Sequence, residues 1–200
     1  MTKLTIQSVL QTILWTVIAG LIYPLVLTVA FRTVFHDQAD GSLVTKDGKV
    51  IGSALIAQQF QGSNYFWPRP SSGSYATVPS GASNLGPTSG ALQTNVLNNA
   101  AAFRSGNNLA TNAPVPADMV FASGSGVDPH ISPESARLQI ARVALSRGLK
   151  EDDVKALVEK FVEGPQWGFL GEPRVNVLLL NVALDDMTVK KADAASPRKG

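Results

Sequence analysis

The sequence contains no cysteine, which excludes a disulfide framework and any thiolate metal site. Its two histidines, His36 and His130, lie far apart in the chain with no thiol to join them, so no zinc-type donor set is present and no metal ligand is assigned. Charge is also scarce. Lys and Arg number 17 against 15 Asp and Glu, a formal net charge of +2, and no dense basic block exists, so no nucleic-acid partner is expected. Internal repeats are absent. Acids are missing altogether before Asp37, and Lys3 is the only base before Arg32.

In place of charge, the first segment (1–36) carries "VLQTILWTVIAGLIYPLVLTVAF", Val9 to Phe31, with no charged side chain in it. A helix needs roughly 20 such residues to cross hydrocarbon, so a transmembrane helix is predicted over about 9–31 and the lipid bilayer is the first expected partner. A secretory signal has a shorter apolar stretch, about 7–15 residues, and a small-residue cleavage site that "TVAFRTVFH" does not offer. Lys3 on one flank faces Arg32 on the other, so charge alone sets no orientation. Within the span Thr16, Gly20, Pro24 and Thr28 recur every four residues and form a strip of small side chains on which another helix can pack. Pro24 removes the hydrogen bond to the Gly20 carbonyl, and Gly20 has no Cβ to resist the bend.

Residues 37–187 read as one mixed α+β soluble domain, and 188–200 as a disordered tail. Leu43–Thr45 and Val50–Ile56 flank Asp47-Gly48, a favoured hairpin pair. Gln61 to Gly90 follows neither apolar period. It is dense in Gly, Ser, Pro and Asn, as in "RPSSGSYATVPSGASNLGPTSG", and predicts a long functional loop. Leu92, Val96, Ala100 and Phe103 predict a helix over 91–104, and Met119–Ala122 a short strand. Ser132, Pro133 and Glu134 mark a helix start, with Gly148 as the stop. A further helix is expected over Glu151–Glu163 with Gly164 as its cap, and a doubly buried strand over Arg174–Leu184, "RVNVLLLNVAL".

Catalytic motifs fail one by one. In "SGSGVDPH" the crowding of Ser123, Ser125, Asp128 and His130 resembles a hydrolase site, but a nucleophile elbow needs glycine two places either side of the serine, and Ser125 has Ser123 and Val127. His130 is therefore read as a turn or surface residue. The one Gly-Lys pair, Gly48-Lys49, is followed by Val50 and has Leu43 where a phosphate-binding P-loop needs glycine. No catalytic residue is assigned. Arg69 sits between Trp67-Pro68 and Pro70 in an extended segment, placed either to meet an aromatic ring or carboxylate across an interface or to form an ion pair within the domain.

Five stretches, "GSALIAQQF", "YFWPRPS", "SGASNLGPT", "VPADMVFASGSGVDPHISPESARLQIARVA" and "GEPRVNVLLLNVALD", together resemble the small C subunit of the bacterial Kdp-type potassium-transporting ATPase. The likeness runs from the "YP" of the span to Asp185. It implies a single-pass accessory subunit of a potassium importer in the cytoplasmic (inner) membrane, with the soluble domain on the outer side. The implied partners are a channel-like potassium-translocating subunit, a P-type ATPase catalytic subunit and a small helical subunit. The implied roles are stabilising their assembly and gating potassium entry. The aspartyl-phosphate signature Asp-Lys-Thr-Gly of P-type pumps does not occur, so the phosphorylated motor is another polypeptide. The family's Gln-x-Ser-Gly-Gly nucleotide motif falls on Val78, Pro79, Ser80, Gly81 and Ala82, with two defining positions changed. By that resemblance Ser80, Gly81, Ser83 and Asn84 are the candidate ATP contacts, and the alternative role is a nucleotide-binding subunit that raises the pump's ATP affinity.

Overall fold

A computed structural model describes residues 2–195. The chain divides into two compact units, Met1–Leu43 and Val44–Gly200. The first is one long apolar helical rod, Thr2–Val34, long and apolar enough to cross a membrane. It is built from α1 (Thr2–Val17), a π-helical turn (Ile18–Ile22) and α2 (Tyr23–Val34), with a short α3 (His36–Ala39) beyond. The wide turn lies where Pro24 takes away an amide, and the Tyr23 amide bonds to the Ile18 carbonyl five residues back. On an unbroken α-helix a row at every fourth residue drifts about 40° per step. The extra residue held in the wide turn counters much of that drift, which keeps Thr16, Gly20, Pro24 and Thr28 near one face. Thr28 spends its hydroxyl on the Pro24 carbonyl at 2.7 Å, within its own helix.

The second unit is α+β, as the sequence predicts. A hairpin opens it, β1 (Leu43–Lys46) and β2 (Lys49–Ser53), turning through Asp47 and Gly48, both at positive φ. β2 ends at Ser53 rather than Ile56. After an irregular stretch come α4 (Gly90–Gly106), α5 (Ala117–Val120), β3 (His130–Ile131), α6 (Pro133–Leu138), α7 (Ile140–Arg147), α8 (Glu151–Lys160), β4 (Val162–Glu163), β5 (Arg174–Asn176) and α9 (Val177–Ala195). The sheet β3-β5-β4 is antiparallel with β5 central, and Val175 pairs with both Ile131 and Val162. Phe66, Phe103, Val143, Val154, Val158 and Leu180 are among the side chains that form one core between helices and sheet.

Five expectations differ from the structure. The strand expected over Met119–Ala122 is the helical turn α5, which still buries Met119 and Val120. The strand expected over Arg174–Leu184 stops at Asn176 and becomes α9. Val177, Leu178, Leu180, Asn181 and Leu184 are all buried, a helical spacing inside a continuous apolar run, where period alone does not separate strand from buried helix. Asn176 makes the switch by accepting the Leu179 amide on its side-chain oxygen at 3.1 Å. The helix expected to run from Glu151 to Glu163 closes at Phe161, and Val162–Glu163 pair with β5, so Gly164 caps nothing. The helix begun by Ser132 is broken into two at Gln139. Ser132 does cap α6, accepting the Ser135 amide at 3.1 Å, and Gly148 ends α7 at φ 60°. α9 continues through 188–195, positions given to the tail, and 196–200 lie outside the described residues.

Candidate functional site

The long irregular segment leading into α4 is pinned along its first part by polar side chains that the helices bury. From α9, Asn181 accepts the Phe66 amide at 2.8 Å and donates to the Phe66 carbonyl at 3.0 Å. From the break between α6 and α7, Gln139 does the same for Trp67, accepting its amide at 2.7 Å and donating to its carbonyl at 3.3 Å. Each side-chain amide thus gives the backbone the pair of bonds a β-ladder would, at residues that belong to no strand. Arg142 completes the clamp, donating to the Ser63 and Tyr65 carbonyls at 2.6 and 2.9 Å, to Gln139 at 2.7 Å and to Asn107 at 2.8 Å. Its guanidinium also stacks 4.0 Å from the Trp67 ring. Burial lowers the Arg142 pKa to about 10, still far above neutrality, so the clamp stays charged. Arg147 donates to the Asn64 carbonyl at 2.6 Å and lies over the Tyr65 ring at 4.7 Å.

Beyond the clamp, the segment turns through an ion pair. Arg69 reaches Asp128 at 2.7 Å, so the carboxylate that the sequence left open between two locations is supplied within the domain. Burial alone would raise the Asp128 pKa, but hydrogen bonds from the His130 side chain and backbone and from Arg69 outweigh it and hold the carboxyl down at about 2. His130 therefore serves as a partner of Asp128, 3.5 Å away through Nδ1. Tyr75 donates to the Arg69 carbonyl at 2.8 Å, and Ser72 to the Gly81 carbonyl at 2.9 Å. The second pass of the loop rests on Gly126, at φ +75°, where a Cβ would stand 2.9 Å from the Gly81 carbonyl oxygen. Trp67, Pro68, Pro70, Tyr75, Asn99 and Phe103 help line an open cleft of about 430 Å³ beside the pinned stretch.

The candidate ATP contacts lie on the outer pass of this loop. Ser80, Ser83 and Asn84 are exposed, and Gly81 turns its carbonyl, an acceptor, toward Ser72. Ser89 spends its hydroxyl capping α4, accepting the Leu92 amide at 3.4 Å. Among the described residues, no group of three or more His, Asp or Glu side chains is placed to hold a metal ion. Thr16, Gly20, Pro24 and Thr28 belong to the other unit, where a Cβ built on Gly20 meets nothing within 4 Å. Sequence reasoning missed Gln139, Arg142 and Asn181. The readable signal was a polar residue inside an otherwise apolar helical face, as in "LQIARVA" and "LLLNVAL".

The profile of the family described as "K+-transporting ATPase, c chain" matches residues 5–186, spanning both units. A potassium-transporting ATPase KdpC subunit of Methylococcus capsulatus is 50% identical over 181 residues, covering 89% of this chain and 95% of that protein. The protein of that name from Paraburkholderia phytofirmans is 50% identical over 176 residues, 86% of this chain and 91% of its own. The one from Dechloromonas aromatica is 49% identical over 179 residues, 88% and 93% respectively. With both the apolar rod and the clamped-loop domain inside the match, the chain belongs to the K+-transporting ATPase c-chain family.

Proposed function

We propose that the chain is an accessory subunit of an ATP-driven potassium importer of the inner membrane. Its apolar helix packs against a channel-like translocating subunit through the Thr16, Gly20, Pro24 and Thr28 strip, and its domain sits on the outer side with the clamped loop over the potassium entrance. A P-type ATPase subunit carries out the phosphoryl chemistry, and a small helical subunit completes the assembly. The observation that carries this reading is the family match running unbroken through span and domain, residues 5–186. The interior supports it: Gln139, Arg142 and Asn181 are spent on holding a loop's backbone in shape, which is what a rigid docking surface requires.

The test is purification of the tagged full chain, co-expressed with the other subunits, in a mild detergent. The reading expects the translocating and ATPase subunits to be retained in fixed proportion, and Gly20→Leu to reduce that retention. A chain recovered alone under conditions that keep the other subunits together would overturn it.

A further inference from the structure

The turn between β4 and β5 is used by nothing described so far. The Gln166 carbonyl accepts the Phe169 amide at 3.2 Å and the Leu170 amide at 2.9 Å, while the Gln166 amide donates to the Leu170 carbonyl at 2.9 Å and Gly168 to the Pro165 carbonyl at 3.0 Å. Four backbone bonds across six residues make this a closed, stiff turn. Trp167 sits at its tip at φ +53°, a region that bulky side chains avoid, followed by Gly168 at φ +85°. A left-handed tryptophan persists only where the surroundings impose it, and such residues gather where a protein binds something.

The turn exposes what a soluble surface normally hides. Trp167 is 86% exposed, Phe169 73% and Leu170 45%, three apolar side chains within four positions. Elsewhere in the domain the strongly exposed Val78, Leu97 and Leu145 come singly along the chain, which is ordinary, and the adjacent pair Val50 and Ile51 is exposed only 59% and 36%. Charge around the turn is specific too. Glu163 and Arg174 pair across its base at 3.0 Å, whereas Glu172 has no ion-pair partner among the described residues. Residues 164–171 carry no charge at all. A loop that binds an anionic bilayer surface adds bases to its apolar tip; this one adds an acid.

We propose that the Trp167–Leu170 turn is a preformed docking knob that enters an apolar pocket on another subunit of the transport complex, with a cationic side chain at the pocket's rim to meet Glu172. The proposal rests on the accessory-subunit reading and names one of its contact surfaces. Tryptophan is among the residues that dominate interface energetics when they fill a pocket, and a turn already locked by its backbone loses little freedom on docking.

The test takes advantage of the missing thiols. Phe169→Cys in the full chain gives a single site for an apolar nitroxide, attached before reconstitution into vesicles with or without the purified remaining subunits. Leu145→Cys, equally exposed, is the control position. The proposal expects the label at 169 to be immobilised only when the other subunits are present, and the label at 145 to stay mobile. In parallel, Trp167→Ala with Phe169→Ala should weaken assembly roughly 10- to 100-fold while leaving the circular dichroism and thermal unfolding of the chain unchanged. Glu172→Lys should weaken it as well. Immobilisation in vesicles of the chain alone, independent of protein density, would assign the knob to lipid and overturn the proposal. Immobilisation that depends on protein density would assign it to a second copy, with the same consequence. A label that stays mobile inside an assembled complex would remove the knob and leave the accessory role standing, whereas failure of the unmodified chain to assemble would remove both.

Discussion

Asp128 shows how much of the domain's pH response one residue carries. Its folded pKa of about 2 lies below the usual 3.8, so its contribution to stability is complete above the unfolded value and is lost as pH falls through the folded one. With the side chain 30% exposed, the shift is worth about 1–2 kcal/mol after screening by solvent. The full chain should therefore lose that stability between about pH 5 and pH 2. Asp128→Asn should lose it already at pH 7 and flatten the acid limb, read from urea midpoints across that range. Arg142→Met leaves the Ser63 and Tyr65 carbonyls and the Asn107 side chain without their donor, at a cost of about 2–4 kcal/mol in the same measurement. Ser80, Ser83 and Asn84 stand exposed on an uncharged outer pass, so titration of the full chain with ATP should give no saturable heat. A saturable isotherm that Ser80→Glu abolishes would restore the nucleotide role. Ser132 was readable at this scale because a helix start fixes what it can do, whereas the prolines beside Arg69 left its partner open between an interface and the domain. Gln139 and Asn181 were not readable, because their partners lie 72 and 115 positions away in sequence.

At the scale of elements, legibility followed local rules. The Asp47-Gly48 turn, the Ser132 cap and the Gly148 stop each depend on a few neighbouring residues, and each stands where the sequence puts it. The strand at Arg174 failed because burial on all sides erases the polar face that sets a helix apart, and "VLLLNVAL" reads equally well in either period. The helix divides at Gln139 although no glycine or proline stands there, and the Gln139 side chain at that point makes two hydrogen bonds to the Trp67 backbone. In the apolar rod, Pro24→Ala restores an amide, so the wide turn at Ile18–Ile22 should close into α-helix. That rotates the first half of the strip by about 100° against the second. Retention of the translocating subunit should fall about tenfold, equivalent to about 1.4 kcal/mol, measured by quantitative co-purification. Unchanged retention would show that the strip is not a packing face.

On the scale of the whole molecule, a near-neutral chain without cysteine was legible chiefly through the order of its motifs, which marks its family. The match across residues 5–186 takes in the apolar helix and the clamped domain in one family pattern. The most direct measurement of the central claim is potassium-dependent ATP hydrolysis by the reconstituted pump, assayed with the chain, without it, and for the chain alone. An accessory subunit hydrolyses no ATP alone, and potassium-stimulated hydrolysis should depend on adding it to the other subunits. A pump that assembles and responds to potassium equally well without the chain, or a chain that hydrolyses ATP unaided, would contradict that claim.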